Sequence, residues 1–407
     1  MTESVGSNHP NPKESPPKEQ TPNFLARVTG VGAGLGKALL LPTLALLVAL
    51  ILGAIFIALT DLEALALLNE DFLGALGLMA EGVGVAYKAM FLGAFGSIYG
   101  LSETLFAATP LILAGLSVAL GFRAGLFNIG ATGQMLIGGM AAVWVGLNIT
   151  LPGFLHIPLA LVAAVLGGAL WAGIAGLLKA RTGAHEVITT IMLNFIALFL
   201  VEFLLKTPTF QKPGANNPIS EQLPLSARLP DIFGGDYRVS LGLFLAVAAV
   251  IFVIWLLFKS SPGFEFRAVG FNPTASRYAG MKVARLFVLV MGVSGGLAGI
   301  AGANQALGLS PYQVTSAFAG TIGFDAIALA LLGRSHPVGV LWASLLFGAL
   351  KAGGRAMQAA AQIPLELVTV IQALIIVFIA APELVRAIFR VRPPEEEPTQ
   401  LTRGWGG

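Results

Sequence analysis

Apolar residues in this sequence neither alternate nor fall on a single helical stripe; they fill long continuous runs separated by polar breaks. The runs cover residues 36–59, 104–121, 134–150, 157–178, 186–206, 240–259, 286–307, 318–333, 337–353 and 364–381. A helix needs about 20 apolar residues to cross a hydrocarbon core, and a segment apolar on all sides has no face to offer water. The pattern predicts an all-α, polytopic integral membrane protein of about ten transmembrane helices. Glycines interrupt the runs in both halves of the chain, most densely at 124–138 and 317–333.

The polar breaks predict the organisation around these spans. Residues 1–35 are Pro-rich and polar and bury too little apolar surface to order themselves. They are expected to be a disordered cytoplasmic tail, followed by a transmembrane domain over 36–385 and a cytoplasmic tail over 386–407. The first run, Ala38–Leu59, exceeds the roughly 7–15 residues of a signal-peptide core, which predicts an uncut span. Lys and Arg mark cytoplasmic loops, here Lys179/Arg181, the block Lys259–Arg285, Arg334, and Arg386, Arg390 and Arg392. The acidic stretch 60–103 (Asp61, Glu63, Glu70, Asp71, Glu81, Glu103) reads as an outer segment, with 89–101 as a short interfacial or re-entrant piece. An even number of spans then leaves both termini cytoplasmic in the cell (inner) membrane. Lys351 and Arg355 break this scheme, which puts them outside. The polar loop 207–239, with Lys212, Glu221, Asp231 and Asp236, is expected outside.

Composition supports the class and removes others. Hydrophobic residues make up 56% and charged residues 11%, against about 25% charged in a soluble domain. With no Cys and four scattered His (His9, His156, His185, His336), neither a disulfide framework nor a clustered metal site is expected. The net charge of +3 is small, and its Lys and Arg lie between apolar runs; nucleic acid is not an expected partner. The run GVGAGLGKA at 30–38 lacks the first Gly and the final hydroxyl of a phosphate-binding loop, with Val31 and Ala38 in those places. No cofactor site is expected in this chain.

Three segments carry candidate chemistry. In AGLFNIGATGQMLIG (124–138), Gly125, Gly130 and Gly133 accompany Phe127, Asn128 and Gln134. Non-helical backbone at membrane depth is tolerated where protein buries it or a wet cavity is lined, and such breaks are where transporters hold substrate. Its counterpart, AFAGTIGFDAIALALLG (317–333), has Phe324 and Asp325. The candidate substrate path is therefore Phe127, Asn128, Gln134, Asn194, Phe324 and Asp325. Amides with aromatic faces and little fixed charge favour a neutral, polar, ring-shaped solute. Three other readings stand: the amides as glue between helices, Asp325 as a helix cap, or Asp325 as the relay of an ion-coupled secondary transporter. The third segment is the basic loop 260–285. Asn272-Pro273 starts a short helix over Thr274–Ala279, which Gly280 ends in the left-handed conformation. A rigid cytoplasmic helix of this kind suits docking to an ATPase.

The runs GLFNIGATGQMLIGG, HEVITTIMLNFIALFL, FEFRAVGFNPTASRYAGMKV, FDAIALALLGRSHPVGVLWASLLFGAL and VIQALIIVFIAAPEL resemble the permease subunits of ATP-binding cassette (ABC) importers for sugars and nucleosides. The likeness spans roughly 88–382 and is strongest to the nucleoside permease of a paired set. It implies an ATPase-coupling role for Arg267, Gly270, Asn272, Pro273 and Ala275, with Gly280 closing the helix. It also implies a second permease, an ATPase with two nucleotide-binding domains that holds ATP and Mg²⁺, and an external substrate-binding lipoprotein. The chain itself is then not an enzyme. The implied cargo is a purine nucleoside first and a simple, ribose-like sugar second. Thr132 stands where the family usually has Glu.

Overall fold

The structure, a computed structural model, describes residues 24–234 and 237–390. α1 (Phe24–Thr60) is followed by a short α2 (Leu62–Leu67), α3 (Phe72–Phe95) and α4 (Ile98–Arg123). Then come α5 (Ala131–Asn148), α6 (Gly153–Thr182) and α7 (Glu186–Leu204). A long loop leads to α8 (Gly242–Lys259), the short pair α9 (Ser261–Phe271) and α10 (Pro273–Tyr278), and α11 (Val283–Gly308). α12 (Ile322–Leu332), α13 (Pro337–Ala361), α14 (Leu365–Ala380) and α15 (Pro382–Phe389) end the described chain. Each predicted run falls on one of these helices. Among the described residues, α1, α3, α4, α6, α7, α8, α11 and α13 are long and apolar enough to cross a membrane, while α12 and α14 are shorter apolar helices.

One expectation needs correction. Residues 60–103 are not an outer segment with a short piece at 89–101: α3 alone has 24 residues. Asp61 and Asp71, read as loop charges, are helix caps, each accepting from a backbone N–H three residues on (Ala64 and Gly74) at 3.0 Å. Gly74, Gly77, Gly82, Glu81 and Lys88 dilute the apolar run and hide the helix. α1 starts at Phe24 and α15 ends at Phe389. Most of the two tails, with Arg392, and Asp236 of the outer loop lie outside the described residues.

Small residues let the central helices approach closely. Gly168 of α6 lies on the backbone of Gly295 and Gly299 of α11. Gly138 of α5 meets Gly299, and Gly302 meets Met135 and Gly139. Between helices in lipid there is little water to expel, so these contacts rest on van der Waals packing and hydrogen bonds. α4, mostly buried, is held to α11 by Ser117 and Ser294 at 3.0 Å and to α13 through Gly115 and Gly348. The loop over 207–239 is fastened as well. The backbone N–H groups of Ser220, Leu223 and Leu229 donate to the carbonyls of Val314, Tyr312 and Leu307.

Candidate functional site

The first feature is the break between α4 and α5. Residues 124–130 are not helical, and Gly125 has φ +70°. Backbone groups freed at this depth must find partners inside the protein. Asn128, with no exposed surface, accepts from the Gly130 N–H and from Gln134 Nε2, both at 2.9 Å. Its Nδ2 donates to Gln134 Oε1 at 3.1 Å and to Ser294 Oγ at 2.9 Å. From α7, Asn194 donates to the Ile129 carbonyl at 2.9 Å and accepts from the Gly133 N–H at 2.8 Å. Thr190 accepts from the Ile129 N–H at 3.3 Å. Glu186, ion-paired with Lys179 at 2.6 Å, lies within 3.5 Å of the Phe127 N–H. Asn128, Gln134 and Asn194 thus have their amides hydrogen-bonded within the wall of the break. Phe127 is half-buried, its ring 4.5 Å from that of Phe122.

The second break meets the first. Residues 309–321 are not helical, and the Phe318 ring occupies the space a side chain at Gly139 would need. At the start of α12, Gly323 packs directly on Thr132, whose buried Oγ1 has no hydrogen-bond partner. Phe324, beside it, is 55% exposed. Asp325 does not cap the helix: its Oδ2 takes Lys351 Nζ of α13 at 2.6 Å and the Thr321 hydroxyl at 3.1 Å. Of the six path candidates, Phe324 is exposed, Phe127 and Asp325 are half-buried, and Asn128, Gln134 and Asn194 are buried.

The short helices α9 and α10 form as the sequence predicts. Asn272 Oδ1 accepts from the Ala275 N–H at 2.9 Å, Pro273 takes the first helical position, and Gly280 follows with φ +87°. What the sequence did not reveal is where α9 rests. Gly270 lies backbone to backbone on the turn at Arg123–Gly125; a Cβ on Gly125 would come within 3.1 Å of Gly270 Cα. α9 therefore touches the break after α4. Arg267 is half-buried, and its guanidinium lies 5.4 Å from the Phe258 ring centre. Arg123 lies 5.9 Å from the same ring, and its Nε donates to the Ser335 carbonyl at 2.9 Å rather than reaching free to the interface. His336 stacks on Phe258, and burial together with Arg123 holds its pKa below the usual histidine value. Outward, the pair presents Asn272, Pro273, Ala275 and Gly280 with the aromatic rings of Phe264, Phe271 and Tyr278, the last 90% exposed.

Sequence reasoning missed a charged group at the far ends of α4 and α13. Glu103, 6% exposed, takes Arg355 Nη2 at 2.6 Å and Arg238 Nη1 at 3.4 Å on one carboxylate oxygen. Lys351 and Arg355, which broke the charge scheme, thus each hold an acid from another helix. Lys351 inside the apolar run 337–353, with Arg355 just beyond its end, was the available signal.

Comparison with known proteins follows the same lines. Residues 100–380 match the family model described as "Branched-chain amino acid transport system / permease component". The chain is 43% identical over 318 residues to the guanosine ABC transporter permease protein NupP of Bacillus subtilis, covering 77% of this chain and 91% of that protein. It is 41% identical over 307 residues to the glucose ABC transporter permease protein TsgB13 of Haloferax volcanii (73% and 80% covered). The nucleoside ABC transporter permease protein NupB of Lactococcus lactis is 37% identical over 326 residues (78% and 89% covered). No solved structure matches.

Proposed function

Because the chain belongs to this permease family and is an ABC transporter permease of the nucleoside/sugar type, we propose that its cargo is a purine nucleoside entering the cell. The chain forms half of a path, with a second permease supplying the other half. ATP and Mg²⁺ act on a separate ATPase with two nucleotide-binding domains, so no bond of the cargo changes in this subunit. An external binding lipoprotein delivers the solute near the loop over 207–239, and the basic loops support a reading in which both termini lie on the cytoplasmic side.

The observation that carries the mechanism is the backbone contact of Gly270 with the turn at Arg123–Gly125. An ATPase that moves α9 and α10 displaces the start of the 124–130 break, and with it the wall that Asn128, Gln134 and Asn194 hold together. Thr132 then moves against Gly323, shifting Phe324 and Asp325 at the open surface. The similarity to guanosine and nucleoside permeases supports the purine cargo; the glucose permease at 41% identity supports a sugar as the second reading. An ion-coupled transporter built on Asp325 loses support, because the family is ATP-driven and Lys351 already neutralises that carboxylate.

Labelled guanosine, inosine and ribose offered to cells with and without the intact transporter test this reading. Transporter-dependent nucleoside uptake that persists when a protonophore collapses the gradient is expected. Ribose uptake with no nucleoside uptake would assign the sugar instead, and arrest by the protonophore at constant ATP would restore the ion-coupled reading.

A further inference from the structure

The charged group around Glu103 borders a cavity of about 370 Å³, lined also by Ser97, Tyr99, Arg238 and Arg355. These residues come from the start of α4, the loop before α8, and α13. The Glu103 side chain is more than nine-tenths buried, and its Oε1 has no hydrogen-bond partner. Its other oxygen is shared by both guanidiniums, of which Arg238 is the more distant and is also held over the Phe106 ring at 4.3 Å. Both arginine side chains remain more than a third exposed, and Tyr99 is 55% exposed at the rim. An orphaned buried carboxylate oxygen carries a desolvation cost that a ligand donor would remove. The guanidiniums keep unused N–H donors next to it.

We propose that this cavity is a solute-binding station that recognises a vicinal diol: the hydroxyls donate to Glu103 and accept from Arg355 and Arg238, while Tyr99 offers a flat apolar face to the rest of the ring. Neutral hydroxyls are both donors and acceptors, so they satisfy carboxylate and guanidinium together. A phosphate would meet the arginines but be repelled by Glu103, and an ammonium the reverse. This inference rests on the nucleoside/sugar reading above and narrows it to solutes that retain adjacent hydroxyls. It separates the cavity from Phe324 and Asp325, where the path itself is placed.

The chain contains no cysteine, so a single thiol at the rim can report on the cavity. Ser97→Cys, in the assembled transporter in membranes without ATP or binding protein, is labelled with a maleimide alone, with guanosine and with 2′,3′-dideoxyguanosine. Guanosine should slow labelling, and the dideoxy compound should need on the order of ten- to a hundred-fold more for the same protection, the effect of losing charge-assisted hydrogen bonds. Glu103→Gln in the same background should abolish the difference between the two compounds. If Ser97→Cys is not recovered in the membrane, Ala356→Cys, on the same lining, serves as the second probe. Equal protection by both compounds, or none by guanosine in a transporter that takes guanosine up, overturns the station and leaves the nucleoside reading intact. A transporter that takes up glucose and no guanosine overturns the nucleoside reading instead. Glucose protection lost in Glu103→Gln would then still uphold the station.

Discussion

Asn128 and Asp325 are polar groups in largely apolar segments, and they differ in what holds them. Asn128 is engaged through both ends of its amide and ties the break together. The sequence announced that the helix breaks there; it did not disclose that the neighbouring amides would be consumed in satisfying the freed backbone, because that depends on Asn194, Ser294 and Thr190 arriving from other helices. The charge partner of Asp325, Lys351, comes into view only in the structure. The ion pair predicts a definite mutational pattern. With the Lys351 and Asp325 side chains only 29% and 18% exposed, Asp325→Asn leaves an ammonium without its counter-ion and should lower ATP-driven uptake. Lys351→Met should do the same from the other side. The double variant removes both charges and should recover uptake, with a coupling of about 0.5–3 kcal/mol in thermal stability of the purified complex. A proton relay gives the opposite result, since the double variant then lacks the relay altogether and stays inactive.

Helices were the most legible layer, because ten apolar runs became ten helices and the caps at Asn272 and Gly280 follow from local chemistry alone. α3 was missed because run length weighs every Gly and charge against a span, whereas its Gly74, Gly77 and Gly82 are tolerated by a helix that needs little of its surface covered. The contact of α9 with the α4–α5 turn was not legible at all: residues 125 and 270 are far apart in sequence and each is merely a glycine. Two glycines of the α9–α10 region make contrasting predictions. Gly270 lies against backbone on its side-chain side, and Gly270→Ala should push α9 off the break. ATPase activity of the assembled complex should persist while uptake falls, a loss of coupling. Gly280 has φ +87° and open space where a side chain would stand. Gly280→Ala should therefore cost ~1–2 kcal/mol of local backbone strain and leave most uptake in place. Equal losses in both variants would mean that strain in the loop, rather than contact with the break, transmits the motion.

Taken whole, the chain exposes apolar side chains on two kinds of surface, and lipid accounts for one of them. Phe195, Phe199 and Phe203 on α7, or Leu166 and Leu170 on α6, belong to helices long enough to cross a membrane, where hydrocarbon or a second permease covers them. Phe264, Phe271 and Tyr278 do not. They sit on α9 and α10, which together carry Glu265, Arg267 and Arg277 and end beside Lys282 and Arg285, a setting too polar for the bilayer core. Rings exposed to 57%, 64% and 90% in such a place mark a surface that a partner covers, and large aromatics at the centre of a contact carry most of its binding energy. With Arg267 turned inward over Phe258, attachment of the ATPase should depend on these rings more than on that charge. Phe271→Ser with Tyr278→Ser should therefore leave the permease in the membrane but strip the ATPase from it during purification. Arg267→Lys, which keeps a cation near Phe258, should retain the ATPase. A serine at Phe199 should leave ATPase retention unchanged. The measurement is the ratio of ATPase to permease after solubilisation at fixed salt. Full retention in the double serine variant, with loss on raising the salt, would show that Arg277 and its basic neighbours, and not the aromatic rings, hold the ATPase.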